Sequence, residues 1–253
     1  MTQIIGFAGR KQSGKNSLCN FFTLIHLVSS GISKYARLTD GGEIEVSDIL
    51  GEKICNEDEW FSFYNPRVDV EGILDISKAV KTYALADPLK ELCINILGLD
   101  KEKVYGTDSQ KSELCDLMWK NMPDYKSLHS FPTGKMTVRE VLQYMGTEVF
   151  RKIDNNVWIN TLLRRIESEK YHMALISDVR FDNEIMALQN NGGIVVGLMR
   201  DVFDSDDSHA SEQINFDLCD IVIDNTDMSL VEQGHAVYGL LEQVNCKNLP
   251  KRK

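Results

Sequence analysis

The chain has no stretch approaching the roughly 20 consecutive apolar residues that a membrane-spanning helix needs. Its amino terminus has no long apolar segment followed by a small-residue cleavage site, so neither a membrane span nor a secretory signal is expected. The six cysteines, at positions 19, 55, 93, 115, 219 and 246, form no C-x-x-C pair, and their spacing suggests no zinc site. A chain of this size needs no disulfide staples, so reduced thiols in a cytoplasm are expected. Basic excess is also missing. Lys and Arg total 28 against 38 Asp and Glu, for a net charge of −10, which argues against a nucleic-acid partner. A small phosphorylated ligand needs only a local basic pocket and is not excluded. The N-K-x-D string of a guanine-reading switch is absent, as are internal repeats and low-complexity tracts.

What is present fits one globular α/β domain with insertions, or one domain and a small satellite: 253 residues, 43% hydrophobic and 26% charged. The apolar run Ile4 to Ala8 reads as a buried strand, and "GRKQSGKNS" follows it from Gly9 to Ser17. Leu18, Phe21, Phe22, Ile25 and Leu27 then recur at helical spacing over Lys15 to about Ser29. Strand, glycine loop and helix in that order build a phosphate cradle. Backbone N–H groups turn inward around an oxyanion, and the helix adds the positive end of its dipole. Gly9, Ser13, Gly14, Lys15, Asn16 and Ser17 are the candidate donor-nucleotide residues, with Lys15 reaching the outer phosphates. The alternative is an ordinary glycine turn. The pattern G-x-x-x-x-G-K-[ST] has Asn16 where the metal-binding hydroxyl belongs, with Ser17 one place late. An amide oxygen is a weaker ligand for a hard cation but can hold a coordinated water. Asn16 and Ser17 are therefore the candidate residues at Mg²⁺, with the ion held mainly by nucleotide oxygens and water.

Further strands are expected at Thr82–Ala86, His172–Ser177, Gly193–Met199 and Asp220–Ile223. Helices are expected after Asp87 (N-cap) and Pro88, near 110–120, from Thr137 with Glu140 as a capping box, over Asn155–Lys170, over Phe181–Gln189 and over Met228–Val244. This alternation predicts a mostly parallel five-stranded sheet flanked by helices, with ligands at the carboxyl ends of the strands. The core is expected over 1–39 and 76–246 of a single domain. Residues 40–75, rich in Asp and Glu with only Lys53 and Arg67 as basic partners, read as an acidic insertion or hairpin with no assigned role.

The third strand ends at Asp178, followed by Arg180 and Glu184. An acid there is either part of a turn or a carboxylate near the metal or the acceptor. Arg139, Arg151 and Arg180 offer charge for a second phosphate, and Arg139, Gln143 and Gly146 fall at i, i+4 and i+7. On spacing alone these arginines are either solvated or substrate-binding, and Trp158 is either core or a base-stacking ring.

Together these residues resemble the phage deoxynucleoside monophosphate kinase family, a branch of the phosphate-loop NMP kinases. The resemblance rests on "GRKQSGKNS", "LADPLK" at 85–90, "VREVLQYMGTEVF" with Trp158 beyond it, the D-x-R-x-x-x-E of Asp178, Arg180 and Glu184, "SHASE" at 208–212 and "DIVIDNTDMSLVE" at 220–232. It implies a P-loop NTPase fold and transfer of the γ-phosphoryl of ATP, with Mg²⁺, to a deoxynucleoside 5′-monophosphate. It also implies broad base use for phage DNA synthesis in the host cytoplasm, and suggests a homodimer. It implies a monophosphate-binding region over about 87–170 and places Arg139, Gln143, Gly146, Thr147, Trp158, Asp178, Arg180 and Glu184 at the acceptor. Residues 200–216 resemble a lid, with Arg200 as a clamp and His209 and Glu212 as anchors, or else form an exposed acidic loop. Asn225 and Thr226 are placed near the adenine. Lys15, Arg139, Asp178, Arg180 and Arg200 are the expected catalytic set. Family members often carry Asp-Thr where this chain has Asn16-Ser17. A dephospho-coenzyme A kinase, or a non-catalytic nucleotide switch, are the alternatives.

Overall fold

A computed structural model describes residues 2–29, 35–47, 61–62, 78–123, 133–200 and 214–243. Most of the expected insertion and lid, including His209 and Glu212, lies outside the described residues. The chain forms two compact units, one of Met1–Ala84 with Arg164–Lys253 and one of Leu85–Leu163.

The first unit is built on β1 (Gln3–Gly9), whose Ile4, Ile5, Phe7 and Ala8 are all buried. A strand apolar on both faces belongs in the middle of a covered parallel sheet. β1 leads into α1 (Lys15–Ser29) and then a small antiparallel sheet of β2 (Tyr35–Leu38), β3 (Ile44–Ser47) and β4 (Phe61–Ser62), in the order β3-β2-β4. The main sheet is completed by β5 (Val80–Tyr83) and, after the second unit, by β8 (Met173–Val179), β9 (Ile194–Leu198) and β10 (Ile221–Ile223). Its order is β10-β9-β1-β8-β5, with every pairing parallel. β8 and β9 thus lie on opposite sides of β1, and the carboxyl end of β1 is where such a sheet opens to ligands. The expectation of a mostly parallel five-stranded α/β sheet flanked by helices holds.

One face of this sheet is closed by α1 and the final helix, which spans Leu230–Gln243. Their shared core is aromatic. The Phe22 ring lies 6.1 Å from Phe7 and 6.2 Å from Tyr238, near-parallel to both, and meets Phe21 edge-on at 5.9 Å. β5 runs earlier than the expected 82–86 because it pairs with β8 from Val80 to Tyr83, and Ala86 already has helical dihedrals.

The second unit carries α2 (Asp87–Asn95), α3 (Lys101–Val104), α4 (Asp108–Lys111), β6 (Leu114–Met118), β7 (Lys135–Thr137) and α5 (Val138–Gln143). Cys93, Val104, Trp119, Met136, Val138, Val141 and Tyr144 form its core. Three expectations are corrected here. Ala86, not Asp87, is the N-cap of α2, and its methyl group makes no cap hydrogen bond. The helix expected near 110–120 is one short turn followed by β6, which pairs antiparallel with β7. Finally, the helix begun at Thr137 does not run on as a regular α-helix. The capping box is present: Glu140 N–H donates to Thr137 Oγ1 at 3.2 Å, and Thr137 N–H donates to Glu140 Oε2 at 2.7 Å. From Tyr144 to Phe150, however, the backbone winds as a π-helix, then returns to α over α6 (Arg151–Ile153). An i, i+4, i+7 face assumes 3.6 residues per turn and is lost there. α7 (Val157–Glu169) follows, then α8 (Asp182–Asn190) after β8, and the Leu230–Gln243 helix is α9.

Candidate functional site

The loop Arg10–Gly14 joins the carboxyl end of β1 to the amino end of α1. Gln12 and Gly14 both have positive φ, 62° and 93°. Positive φ in such a loop is the backbone pattern that can turn successive N–H groups to one side as an anion nest. α1 has no acidic residue in its first turn, so its positive dipole end is not offset from within.

Lys15 is only 8% exposed. A buried ammonium needs partners, and the loop supplies them. Nζ donates to the carbonyl of Gly9 at 2.7 Å, to the carbonyl of Arg10, and to Ser13 Oγ at 3.3 Å. The loop therefore already holds a cation at its centre.

A cavity of about 630 Å³ opens over this loop. Ser13, Gly14, Lys15, Asn16 and Ser17 line it, as do Asp178, Arg180 and Arg200. Lys11, Lys15, Arg180 and Arg200 bring positive charge, and Asp40 and Asp178 bring negative charge. Asp178 and Arg180 arrive together because β8 pairs with β1 and ends beside the loop. The carboxylate of Asp178 also lies close enough to α1 to raise the Cys19 thiol, which burial already pushes well above its usual range.

Glu184 is 2% exposed and is not among the cavity-lining residues. Its Oε2 accepts from the N–H of Arg180 at 2.9 Å and of Phe181 at 3.1 Å. It caps α8 and fixes the turn that displays Asp178 and Arg180, in place of the substrate contact expected for it. Asn225 also departs from expectation. Its amide is fully buried and engaged with Ser13, Gln233 and Arg200. Arg200 lines the cavity, but its Nε donates to the Asn225 carbonyl at 2.9 Å and its Nη2 to the carbonyls of Asn225 and Met228. That anchoring is what the structure offers for the expected clamp. Gly9 is buried at the end of β1, and its carbonyl accepts from Lys15 Nζ.

The remaining expected residues belong to the second unit. Arg139 Nη2 pairs with Asp108 Oδ1 at 2.8 Å. Gln143 and Thr147 are exposed, while Gly146 is buried against Leu89. Trp158 is buried, with its indole N–H donating to the Gly146 carbonyl at 3.1 Å and its ring 5.3 Å from Phe150. Of the two alternatives for Trp158, core packing is the one seen. Arg151 donates from Nη1 to the Asn155 carbonyl at 3.2 Å.

Two residues of the site have no sequence expectation. Asp40 comes from the turn between β2 and β3, which is held against α1 by Asn20 Nδ2 donating to the Gly42 carbonyl at 2.8 Å. The Asp-Gly-Gly string at 40–42 signals a turn but not where the turn lands. Gln233 is fully buried on α9 in a row with Leu230, Gly234, Val237, Tyr238 and Leu241. A polar residue at a core position of an amphipathic helix is the signal that marks it.

For Mg²⁺ the donors at hand are oxygens: the Asn16 amide, the Ser17 hydroxyl and the carboxylates of Asp178 and Asp40. Among the described residues no group of three or more His, Cys, Asp or Glu could hold a metal by itself. That donor set fits an ion that keeps several waters and binds through one or two carboxylates plus nucleotide phosphates.

Comparison with known proteins bears on the whole arrangement. The chain is 31% identical over 144 residues to a protein of Acanthamoeba polyphaga mimivirus named "Putative deoxynucleotide monophosphate kinase". The match covers 51% of this chain and 65% of that relative's length. The family model for deoxynucleotide monophosphate kinase matches residues 99–233, which takes in Asp178, Arg180 and Arg200 but begins after the phosphate loop. The loop is read from its own geometry, and the segment beyond it from kinship: the chain belongs to the deoxynucleotide monophosphate kinase family.

Proposed function

We propose that this protein transfers the γ-phosphoryl group of ATP to a deoxynucleoside 5′-monophosphate, giving ADP and the deoxynucleoside diphosphate. The observation that carries the proposal is the convergence, on one cavity of about 630 Å³, of the loop amides, Lys15, Asp178 and Arg180. Such a cavity offers fixed donors from the loop together with an acid and a guanidinium from the end of β8. In-line transfer needs alignment and charge neutralisation more than covalent catalysis. An oxygen of the acceptor phosphate attacks the γ-phosphorus. That O–P bond forms as the bond to the β–γ bridging oxygen breaks, and ADP leaves with the electron pair.

The loop amides and Lys15 hold the donor phosphates and stabilise charge on the transferring group. Arg180 holds the acceptor phosphate. Asp178 positions Arg180, the metal-bound water or the sugar. It is not a general base, because a monophosphate oxygen is already ionised near neutral pH. Asn16, Ser17 and Asp178 are the residues that would hold Mg²⁺ with the nucleotide, and the ion would supply neutralisation of phosphate charge. Arg139, Gln143, Gly146 and Thr147 remain proposed acceptor residues on the resemblance alone. Broad base use, supply of phage DNA synthesis, a host-cytoplasmic location and a homodimer belong to the same reading. Among the described residues no helix is long and apolar enough to cross a membrane.

The deciding experiment measures ADP formed from ATP with each of the four deoxynucleoside and four ribonucleoside monophosphates, and with dephospho-coenzyme A. Turnover with one or more deoxynucleoside monophosphates is expected. Turnover with dephospho-coenzyme A alone, or ATP bound without transfer to any acceptor, would replace the proposal.

A further inference from the structure

A phosphate loop aims its amide N–H groups at an anion more firmly when the carbonyls that point away from the cavity find partners. Two of those carbonyls meet a buried pair of side-chain amides. Asn225 Nδ2 donates to the Ser13 carbonyl at 2.9 Å and to Gln233 Oε1 at 2.8 Å. Gln233 Nε2 donates to the Gly14 carbonyl at 3.4 Å. Ser13, Asn225 and Gln233 are each 0% exposed.

The direction of this relay is set at its far end. The main-chain N–H of Arg200 donates to Asn225 Oδ1 at 2.9 Å. With that oxygen taken, the NH₂ of Asn225 must face Ser13 and Gln233. Gln233 then accepts through its oxygen and has its own NH₂ for Gly14. Donors therefore run one way, from the end of β9 to the loop. The fit is close. A Cβ at Gly14 would lie 2.7 Å from Gln233 Oε1, and φ there is +93°, the left-handed region that favours glycine.

We propose that Asn225 and Gln233 are positioning residues for the donor nucleotide. They hold the Ser13 carbonyl outward and, together with the Leu18 N–H that donates to the Gly14 carbonyl at 3.0 Å, that carbonyl too, and so keep the loop amides aimed into the cavity before ATP arrives. The inference rests on reading the loop as the ATP site. Neither side chain lines that cavity, so each acts through the loop.

Two variants of the full chain test this. Asn225→Asp keeps the size but sets a carboxylate oxygen against the Ser13 carbonyl. Gln233→Met keeps the volume and removes the donor to Gly14. Binding of ATP is measured by calorimetry, and KM is measured separately for ATP and for the monophosphate the wild type uses best. Asn225→Asp is expected to raise the ATP Kd and KM at least tenfold, and Gln233→Met several-fold. The monophosphate KM should stay within twofold. The double variant should lose less than the product of the two single losses, because both act on one loop. Unchanged ATP affinity in both variants, or equal rises in the two KM values, overturns the inference. Should Asn225→Asp fail to fold, as judged by its melting curve, Gln233→Met decides alone by the same split. A wild-type chain that binds no ATP overturns the donor-site reading itself. A wild type that binds ATP while both folded variants bind it equally well overturns only the relay.

Discussion

At the scale of single residues, Lys15 is the most constrained group of the site. The residue is 8% exposed and its ammonium donates to the loop carbonyls of Gly9 and Arg10, so its charge is held at the centre of the loop. Lys15→Ala is expected to lower kcat/KM by at least ~100-fold, the scale of losing one preorganised donor to the transition state. The far-ultraviolet dichroism should stay native, and near-native turnover would remove Lys15 from the mechanism. Arg180 is held differently, by a main-chain N–H to the buried Glu184. Arg180→Ala should raise the monophosphate KM by ~10-fold or more and leave the ATP affinity within a factor of ~2. Equal loss on both sides would assign Arg180 to the donor. Lys15 was legible in the sequence because its motif is contiguous. Gln233 was not, since a buried glutamine shows its purpose only when its partners are known.

Among the elements, the junction of β5 with the end of α7 carries a testable charge cluster. Lys81 Nζ and the Tyr83 hydroxyl donate to Glu169 Oε2 at 2.6 and 2.7 Å, and Arg165 Nε donates to Glu169 Oε1 at 3.0 Å. Partial burial alone would push the Glu169 carboxyl up. The hydrogen bonds from Lys81, Tyr83 and Arg165 outweigh it and bring the group down from 4.5 to about 2. A depressed acid stabilises the fold above its unfolded value and loses that contribution as pH falls through the folded one. The contribution is therefore complete at neutral pH and is lost between about pH 4.5 and about 2. Melting temperatures followed over this range should fall steeply for the wild type and less steeply for Glu169→Gln. Parallel curves would show that the cluster contributes nothing. The same junction separates what local pattern can and cannot read. α1, α8 and α9 were legible from apolar spacing to within about two residues, the usual uncertainty of helix ends. The π segment at Tyr144–Phe150 was not, because its capped start at Thr137 looks like that of any α-helix. β6 was missed because it is short, with an exposed–intermediate alternation and no apolar run.

For the whole molecule, ligand binding should be visible as stability. A ligand held only by the folded state stabilises it by about 2.7 kcal/mol at 100 times its Kd. In a protein of this size that corresponds to a melting temperature about 5–10 °C higher. ATP with Mg²⁺ is expected to produce such a rise in the wild type and none in Lys15→Ala. A rise of the same size in both proteins would place the nucleotide elsewhere than the loop. By itself the sequence determined the strand–loop–helix at the start of the chain, the parallel α/β class, the capping box at Thr137 and the family, because each is carried by neighbouring residues or by their order. Tertiary structure decided which distant residues meet. Asn225 reaches Ser13 across 212 positions, Asp40 reaches the cavity through a docked turn, and Glu184 and Trp158 are turned inward. Those outcomes depend on strand order and on which side chain finds a hydrogen-bond partner once buried, and neither is written in any short stretch of the chain.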